Sequence, residues 1–327
     1  MGDMADDAIG DVLDSGEEFE ALDDLEREYR MATTKKVRRK KSTTIITPKG
    51  ETSNGRVRIP GPNEYNEPPE HFTNYCTIIF GEKGVGKTSL CAQFPGSLVL
   101  MTEPRRRNLR IRQAVVPPMS MDQLMREYKE AEKKGIDYQT PWMKMHDMIQ
   151  LAVKDDSVKT IVIDTIDRAY EHCLMHQCVI RDIKDPSALN DYGATWRSIK
   201  DDLEEMLRFV LNTDKGLIMV SHADLRQVEA RSGETYEILC PTCTPSCFKV
   251  LKAFCDYAFY YGYHSKQRAL FLRGNELIWS SCGVDDHFLS PKGVPLNTIR
   301  MGDSAKEAYE SLMAAFANKV EDLEPSS

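Results

Sequence analysis

A glycine-rich run in the first third of the chain has the residue types and spacing of a phosphate-binding loop. It fits the pattern G-x-x-x-x-G-K-[ST] without a mismatch. Its residues, with the serine that follows, are Gly81, Glu82, Lys83, Gly84, Val85, Gly86, Lys87, Thr88 and Ser89. In such a loop the backbone amides surround the phosphates, the lysine acts in catalysis by bridging the β- and γ-phosphates, and the threonine hydroxyl binds Mg²⁺. The pattern predicts a site for a nucleoside triphosphate with Mg²⁺; the alternative is a chance glycine-rich turn.

The sequence on either side of this loop predicts the elements that must position it. Residues 75–80 are a short run of β-branched and aromatic residues, which is typical of a buried strand. Residues 88–94 can continue as a helix until Pro95 and Gly96 end it. Strand, glycine loop and helix are the arrangement that a phosphate-binding loop requires, so the context supports the motif.

A second predicted strand, at residues 160–163, is followed by an acidic side chain. Apolar and β-branched residues lead to Asp164, and Thr165 comes next. An aspartate at the carboxyl end of such a strand holds Mg²⁺, directly or through a water, in many phosphate-loop ATPases. Many buried strands end in aspartate, so the run alone is weak evidence. Its place downstream of the loop makes Asp164 the predicted second Mg²⁺ ligand, beside Thr88.

Three further polar residues near predicted strand ends are candidates for catalysis. Glu103 could orient and deprotonate the attacking water, or else begin a helix or pair with the arginines at 105–107. Asp167 is a rival for positioning the water, or else the N-cap of a helix that starts at Arg168. His222 could sense the γ-phosphate through a hydrogen bond, or merely cap a strand end.

The remaining pattern predicts an α/β protein in which strands alternate with helices. Further strands are predicted at residues 97–101, 216–222, 256–261, 269–272 and 276–280, with a hairpin turn at 273–275 between the last two. Helices are predicted at residues 121–134, 141–154, 187–211 and 303–319, the last with Asp303 or Ser304 as its N-cap. The polar segment 223–239, which contains Arg226 and Arg231, predicts a protruding hairpin or a mobile loop.

Cys240, Cys243 and Cys247 have a spacing that resembles a zinc knuckle. No second C-x-x-C pair follows them, and ordinary buried thiols account for the same pattern. The sequence favours buried thiols, with a structural Zn²⁺ as the alternative.

The two ends of the chain differ in charge from the folded domain that we expect at residues 71–320. Residues 1–30 are strongly acidic and form either an amphipathic helix for a protein partner or a disordered tail. The basic run 35–41 either contacts phosphate backbones or belongs to the flexible linker that reaches residue 70. Residues 321–327 are expected to be an acidic tail.

Length and composition limit the class of protein. The chain has 327 residues with 41% hydrophobic residues and a formal net charge of −8, which suits one large globular domain with additions. It lacks an apolar run long enough to span a membrane, and its acidic start does not resemble a signal peptide. With nine cysteines and no secretion signal, we expect reduced thiols in a cytoplasmic protein.

In chain order, the loop, Glu103, Asp164, His222 and the late segment 285–296 resemble the phage-encoded RecA-like P-loop ATPases, a family of nucleotide-binding and single-strand annealing recombination proteins. The resemblance covers about residues 71–302. It implies a RecA-like core with a mostly parallel sheet flanked by helices, a late β-hairpin and a disordered N-terminal tail. It also implies ATP with Mg²⁺, a homo-oligomeric ring or filament, single-stranded DNA and the host cytoplasm.

The same resemblance implies roles for individual residues. Glu103 would be the catalytic carboxylate and His222 the sensor of the γ-phosphate. Family members often carry a basic residue in an Asp-Arg-Phe-like triplet that reaches the neighbouring subunit. This chain has His287 at that place, with Lys292 and Arg300 as other candidate cations.

Two functions follow from these expectations. The first is an ATPase of DNA recombination, repair or replication that holds single-stranded DNA with the segment 223–239 and the basic run. The second is a nucleotide-gated loader or scaffold that binds a replication protein through the acidic residues 1–30. The basic side chains favour DNA, and the acidic segment favours a protein partner.

Overall fold

A mixed β-sheet is the central element of the fold. The structure, a computed structural model, describes residues 69–103, 109–229, 235–283 and 286–323. The expectations for the acidic N-terminal tail, the basic run, the linker as far as residue 68, the arginines at 105–107, Arg231 and residues 324–327 lie outside these residues. Of the predicted acidic C-terminal tail, residues 321–323 are described, and Asp322 accepts hydrogen bonds from the amides of Asn297 and Thr298. The strands are β1 (Thr77–Gly81), β2 (Ser97–Met101), β3 (Gln113–Val115), β4 (Thr160–Asp164), β5 (Gly216–Glu229), β6 (Thr235–Pro241), β7 (Tyr257–His264), β8 (Gln267–Phe271), β9 (Ser281–Cys282) and β10 (Thr298–Arg300).

The order of the strands across the sheet is β10-β8-β7-β1-β5-β4-β2-β3, with β6 paired to β5 and β9 to β7. All neighbours from β7 to β3 are parallel, whereas β8, β10, β6 and β9 form the antiparallel pairs. The helices are α1 (Lys87–Cys91), α2 (Met121–Lys134), α3 (Pro141–Lys154), α4 (Ile166–Val179), α5 (Ala194–Leu211), α6 (Pro245–Phe254) and α7 (Ala305–Phe316). Phe72–Asn74 and Pro186–Ala188 are single 3-10 turns.

Helices cover both faces of the sheet, and each face has its own apolar core. Side chains of α3, α4, α5 and α6 pack on one face, and those of α1 and α7 pack on the other. Successive strand residues point to opposite faces, so Ile78 lies in the first core and Ile79 in the second. The predicted class, an α/β fold with a mostly parallel sheet flanked by helices, is confirmed.

Helix boundaries follow the capping residues. The predictions of 121–134 and 141–154 are confirmed, and the Ser120 and Thr140 side chains cap the two helices. The helix predicted at 187–211 is shorter and begins at Ala194. The Asp191 carboxylate accepts hydrogen bonds from the amides of Gly193 and Thr195, at 3.0 and 2.8 Å, which turns the chain before the helix.

The predicted hairpin at 223–239 is present as the antiparallel pairing of β5 with β6. β5 leaves the parallel sheet after His222 and continues without a break into this hairpin. One long strand therefore connects the interior of the sheet to an exposed projection.

A late β-hairpin is present, but the strand pair and the turn predicted for it are wrong. The strand expected at 269–272 exists as β8, but its partner is β7, and the turn between them is Ser265-Lys266. Both turn residues have positive φ values, 48° and 67°. Residues 276–280 make only an isolated bridge to Leu239, because the Asn275 side chain accepts hydrogen bonds from two following amides and bends the chain there.

The last helix closes the second core. Ser304 is its N-cap, as predicted, and forms a capping box with Glu307. Within the described ranges, the helices are too short or too polar to cross a membrane.

Candidate nucleotide site

The loop Gly81–Thr88 joins β1 to α1 in the arrangement that the sequence predicts. At Gly86 the backbone has φ of 115°, a conformation that favours glycine. At Gly81 a Cβ atom would lie 1.9 Å from the carbonyl oxygen of Tyr261 on the neighbouring strand. The loop therefore needs glycine at Gly86 for its conformation and at Gly81 for the close approach of β7.

The Lys87 side chain folds back over the loop. Its side chain is largely buried, and Nζ donates hydrogen bonds to the carbonyl oxygens of Gly81, at 2.7 Å, and Glu82, at 2.8 Å. A buried ammonium group needs such acceptors. The fold thus fixes one positive charge beside the loop backbone, where a bound phosphate would also lie.

The loop meets the end of β4 through two oxygen atoms. Thr88 Oγ1 donates a hydrogen bond to Asp164 Oδ2 at 2.5 Å. Hydroxyl and carboxylate oxygens are the ligands that Mg²⁺ takes in nucleotide sites. The two residues predicted to bind Mg²⁺ therefore lie together, and their donor atoms fit that ion.

The register of the parallel strands places Glu103 and His222 at the same level along the strand direction, just beyond the end of β4. Met101 of β2 pairs with Asp164 of β4, which pairs with Val220 of β5. Glu103 and His222 each lie two residues beyond these partners. Their side chains meet across the end of β4, with Glu103 Oε1 and His222 Nε2 3.2 Å apart.

Asp167 is held from the β5 side. Ser221 Oγ lies 2.9 and 3.0 Å from its two carboxylate oxygens. Burial raises the pKa of Asp167, while the hydrogen bond from Ser221 acts in the opposite direction. The alternative in which Asp167 caps a helix starting at Arg168 is wrong, because α4 begins at Ile166 with Thr165 at the N-cap position.

Two tyrosines of β7, which no sequence pattern predicted as site residues, lie beside the loop on the side opposite β5. The Tyr260 hydroxyl donates to Glu82 Oε1 at 3.3 Å. The Tyr261 ring packs in the core beneath α1, and its hydroxyl lies 3.9 Å from a Cβ built at Gly86. The apolar run of β7 carries no sign of this contact, which depends on β7 being the parallel neighbour of β1.

Of the three candidate zinc ligands, Cys243 and Cys247 lie in the apolar core that α6 covers, and Cys240 is buried on β6. A hydrogen bond with Cys243, and then burial, raises the pKa of the Cys247 thiol well above its ordinary value. Zinc ligation requires the thiolate, which this environment disfavours. Within the part of the chain that the structure describes, no group of three His, Cys, Asp or Glu side chains is arranged to hold a metal ion.

The late segment makes contacts within its own chain. The His287 ring stacks on Phe316 with centroids 3.7 Å apart. Its Nδ1 lies 3.0 Å from the Phe316 carbonyl oxygen, and its Nε2 lies 3.3 Å from that of Pro69. Lys292 and Arg300 are exposed.

Comparison with known proteins identifies the family. Residues 73–281 match the AAA domain, and this segment includes the loop, the end of β4 and the strand with His222. A search of curated proteins finds no match. The matched segment covers more than half of the chain, so the chain belongs to the AAA domain family of P-loop ATPases.

Proposed function

We propose that this protein binds ATP with Mg²⁺ on the loop Gly81–Thr88 and hydrolyses it with Glu103 as the catalytic carboxylate. Family membership supports ATP binding and hydrolysis by the domain. The observation that carries the assignment to residues is the contact between Thr88 and Asp164, which joins the loop to β4 through oxygen ligands suited to Mg²⁺.

The phosphates of ATP would bind where the Lys87 ammonium group is already fixed. At present Nζ donates to two loop carbonyls. A bound phosphate is a stronger acceptor, because it carries negative charge. Thr88 and Asp164 would hold Mg²⁺, which supplies positive charge that stabilises the phosphoryl group during transfer.

Glu103 is the better candidate for the water-activating residue. Asp167 is partly buried, and the Ser221 hydroxyl, 2.9 and 3.0 Å from its two oxygens, donates a hydrogen bond to it. Glu103 lies just beyond the end of β4 and contacts His222. The position of Glu103 supports its role in deprotonating water, and the contact with Glu103 supports a role for His222 in sensing the γ-phosphate. The hydrogen bond from Ser221 supports a role for Asp167 in holding the end of β5.

The hairpin of β5 and β6 would couple the nucleotide state to a bound polymer. His222 belongs to the same strand as the hairpin, so a displacement at the nucleotide has a continuous path to it. The hairpin exposes Tyr236, and an exposed aromatic ring can stack on the bases of single-stranded DNA. Arg226 contributes less than the sequence suggests, because its guanidinium group donates to the Cys243 carbonyl oxygen at 2.7 Å.

These features support a RecA-like ATPase of DNA recombination, repair or replication, as in the phage proteins that the sequence resembles. In this proposal the protein forms a ring or filament, and the hairpin and the basic run 35–41 hold single-stranded DNA. ATP binding assembles the subunits, and hydrolysis releases the strand.

The second candidate is a nucleotide-gated loader or scaffold that binds a replication protein. One observation favours it: the hairpin exposes Leu225 on one face and Tyr236 on the other, while Arg226 lies over the Phe248 ring of α6. Apolar and aromatic side chains are frequent at the centre of protein–protein interfaces.

The rate of ATP hydrolysis with and without single-stranded DNA, at low and moderate salt, separates the two candidates. The DNA proposal expects stimulation at low salt that weakens steeply as salt rises, because phosphate contacts release counterions. Hydrolysis that is indifferent to DNA at both salt concentrations would contradict it and favour the loader. Absence of hydrolysis under all conditions would contradict both.

A further inference from the structure

The direction in which a nucleotide crosses the loop follows from the sheet order. β1 has β5 on one side and β7 on the other. Glu103, Asp164 and His222 belong to β2, β4 and β5 or directly follow them, and so lie on the β5 side. In phosphoryl transfer the attacking oxygen and the leaving oxygen are roughly in line across the γ-phosphate. The leaving nucleoside diphosphate must therefore extend toward β7.

β7 and β8 project past the loop on that side. Gly81, the last residue of β1, pairs with Tyr261, and β7 continues to His264. Three further residues at about 3.3 Å each carry the hairpin roughly 10 Å beyond the end of β1. The turn at Ser265-Lys266 then returns the chain along β8. The hairpin of β7 and β8, called the wall below, thus lies beside the loop.

One exposed aromatic residue lies on the face of this wall that touches the loop. The Tyr261 hydroxyl lies 3.9 Å from the point where a Cβ at Gly86 would stand, and residues two apart in a strand share a face, so Tyr263 follows on the same face. The Tyr263 side chain is half-exposed. Arg268 is its cross-strand partner, and one of its guanidinium nitrogens donates to the Asp303 carbonyl oxygen. The wall therefore presents an anchored guanidinium group and an exposed ring next to each other.

Burial raises the pKa of Tyr261 to about 12, and the charge of Arg268 opposes that shift. Tyr261 and Tyr263 share one face of β7, and Arg268 lies opposite Tyr263 on β8, so the three residues are on the β7 side of the loop.

We infer that Tyr263 is the platform on which the nucleobase of the bound nucleotide stacks. This inference rests on the proposed function. The Tyr263 ring is flat and exposed, and it lies on the side of the loop toward which the nucleoside must point. Along β7 it is two residues beyond Tyr261, which lies beside the loop. An aromatic side chain that stacks on a base contributes binding energy that inorganic phosphates cannot gain.

The test compares two ligands on the full chain: ATP, and inorganic tripolyphosphate, which lacks base and ribose. Binding of each is measured by calorimetry with Mg²⁺ for the wild type, Tyr263→Ala and Tyr263→Phe. We expect Tyr263→Ala to weaken ATP binding about tenfold, from the usual contribution of one stacked base, and to leave tripolyphosphate binding unchanged. Tyr263→Phe keeps the ring and should bind ATP within about twofold of the wild type.

The exposed Tyr192 serves as a matched control, because Tyr192→Ala removes an equal ring far along the chain from the loop. Equal weakening of both ligands by Tyr263→Ala, or unchanged ATP binding, would overturn the inference. If the proposed function itself is wrong, the result differs: the wild type would bind neither ATP nor tripolyphosphate.

Discussion

The Glu103 carboxylate and the His222 imidazole meet across the end of β4, with Oε1 and Nε2 3.2 Å apart. Thr165, the residue after Asp164, also donates to Glu103 Oε1, at 3.4 Å. The contact joins three neighbouring strands at the edge where the loop lies. It links the proposed catalytic carboxylate to the strand that continues into the exposed hairpin.

Glu103→Gln should retain ATP binding and lose hydrolysis. The amide keeps the size and one oxygen of the side chain but cannot accept a proton, and general bases typically contribute about 10²–10⁴-fold in rate. Single-turnover hydrolysis and nucleotide binding measure the two effects separately.

Asp167→Asn is the matched comparison for that experiment, since it makes the same change in the rival carboxylate. We expect it to slow hydrolysis much less than Glu103→Gln does. If Asp167→Asn stops turnover while Glu103→Gln leaves it near the wild-type rate, the roles of the two residues are reversed.

Thr88→Val should raise the Mg²⁺ concentration needed for hydrolysis. The variant keeps the branched shape but removes the hydroxyl that lies 2.5 Å from Asp164. Thr88→Ser retains the hydroxyl and should stay close to the wild type. Titration of Mg²⁺ into chelator-treated protein, with hydrolysis as the readout, checks both variants. Identical Mg²⁺ dependence in all three proteins would remove Thr88 from the metal site.

The unfolding free energy of Asp167→Asn should increase relative to the wild type as the pH rises. Burial raises the pKa of Asp167, so the fold favours the protonated carboxyl. Stability from this group is present below the ordinary aspartate pKa of about 4 and is lost as the pH rises through the raised value. Asparagine does not titrate, so the variant avoids that loss.

Urea unfolding of wild type and Asp167→Asn at pH values from about 4 to about 8 measures the difference. A difference that is constant with pH, or that shifts in favour of the wild type as the pH rises, would contradict the burial of an ionisable carboxyl at this position.

Gly81→Ala should destabilise the fold and weaken ATP binding together. The new Cβ atom would lie 1.9 Å from the Tyr261 carbonyl oxygen, so β1 and β7 must separate beside the loop. Overpacking of this kind costs about 1–3 kcal/mol. Urea unfolding and ATP titration of the same preparation test the prediction, and stability within about 0.5 kcal/mol of the wild type would contradict it.

Local patterns in the sequence were sufficient for part of this site. The glycine loop and the strand ending in Asp164 are continuous segments, and each carries its own pattern of apolar and polar residues. Predicting that the two segments lie together needed only the rule that parallel strands end at a common edge. Helices such as α2 and α3 were predictable because Gly135 ends the first and Pro141 begins the second.

Contacts between distant segments were not predictable in this way. The hairpin of β7 and β8 turns on Ser265 and Lys266, which take positive φ values without the glycine or asparagine that usually indicates such a turn. The contacts of Tyr260 and Tyr261 with the loop depend on which strand pairs with β1, and strand order is not encoded in any single segment. That Glu103 and His222 lie at the same level along the strand direction likewise depends on strand register.

The central claim is that ATP is hydrolysed at this loop, and Lys87→Ala tests it most directly. Steady-state ATP hydrolysis is measured with Mg²⁺ for wild type, Lys87→Ala and Lys306→Ala. Lys306 is exposed on α7 and pairs with Glu310 on the same helix. We predict that hydrolysis is abolished and ATP binding weakened in Lys87→Ala, and that Lys306→Ala matches the wild type. Hydrolysis at the wild-type rate in Lys87→Ala would contradict the assignment of the nucleotide site.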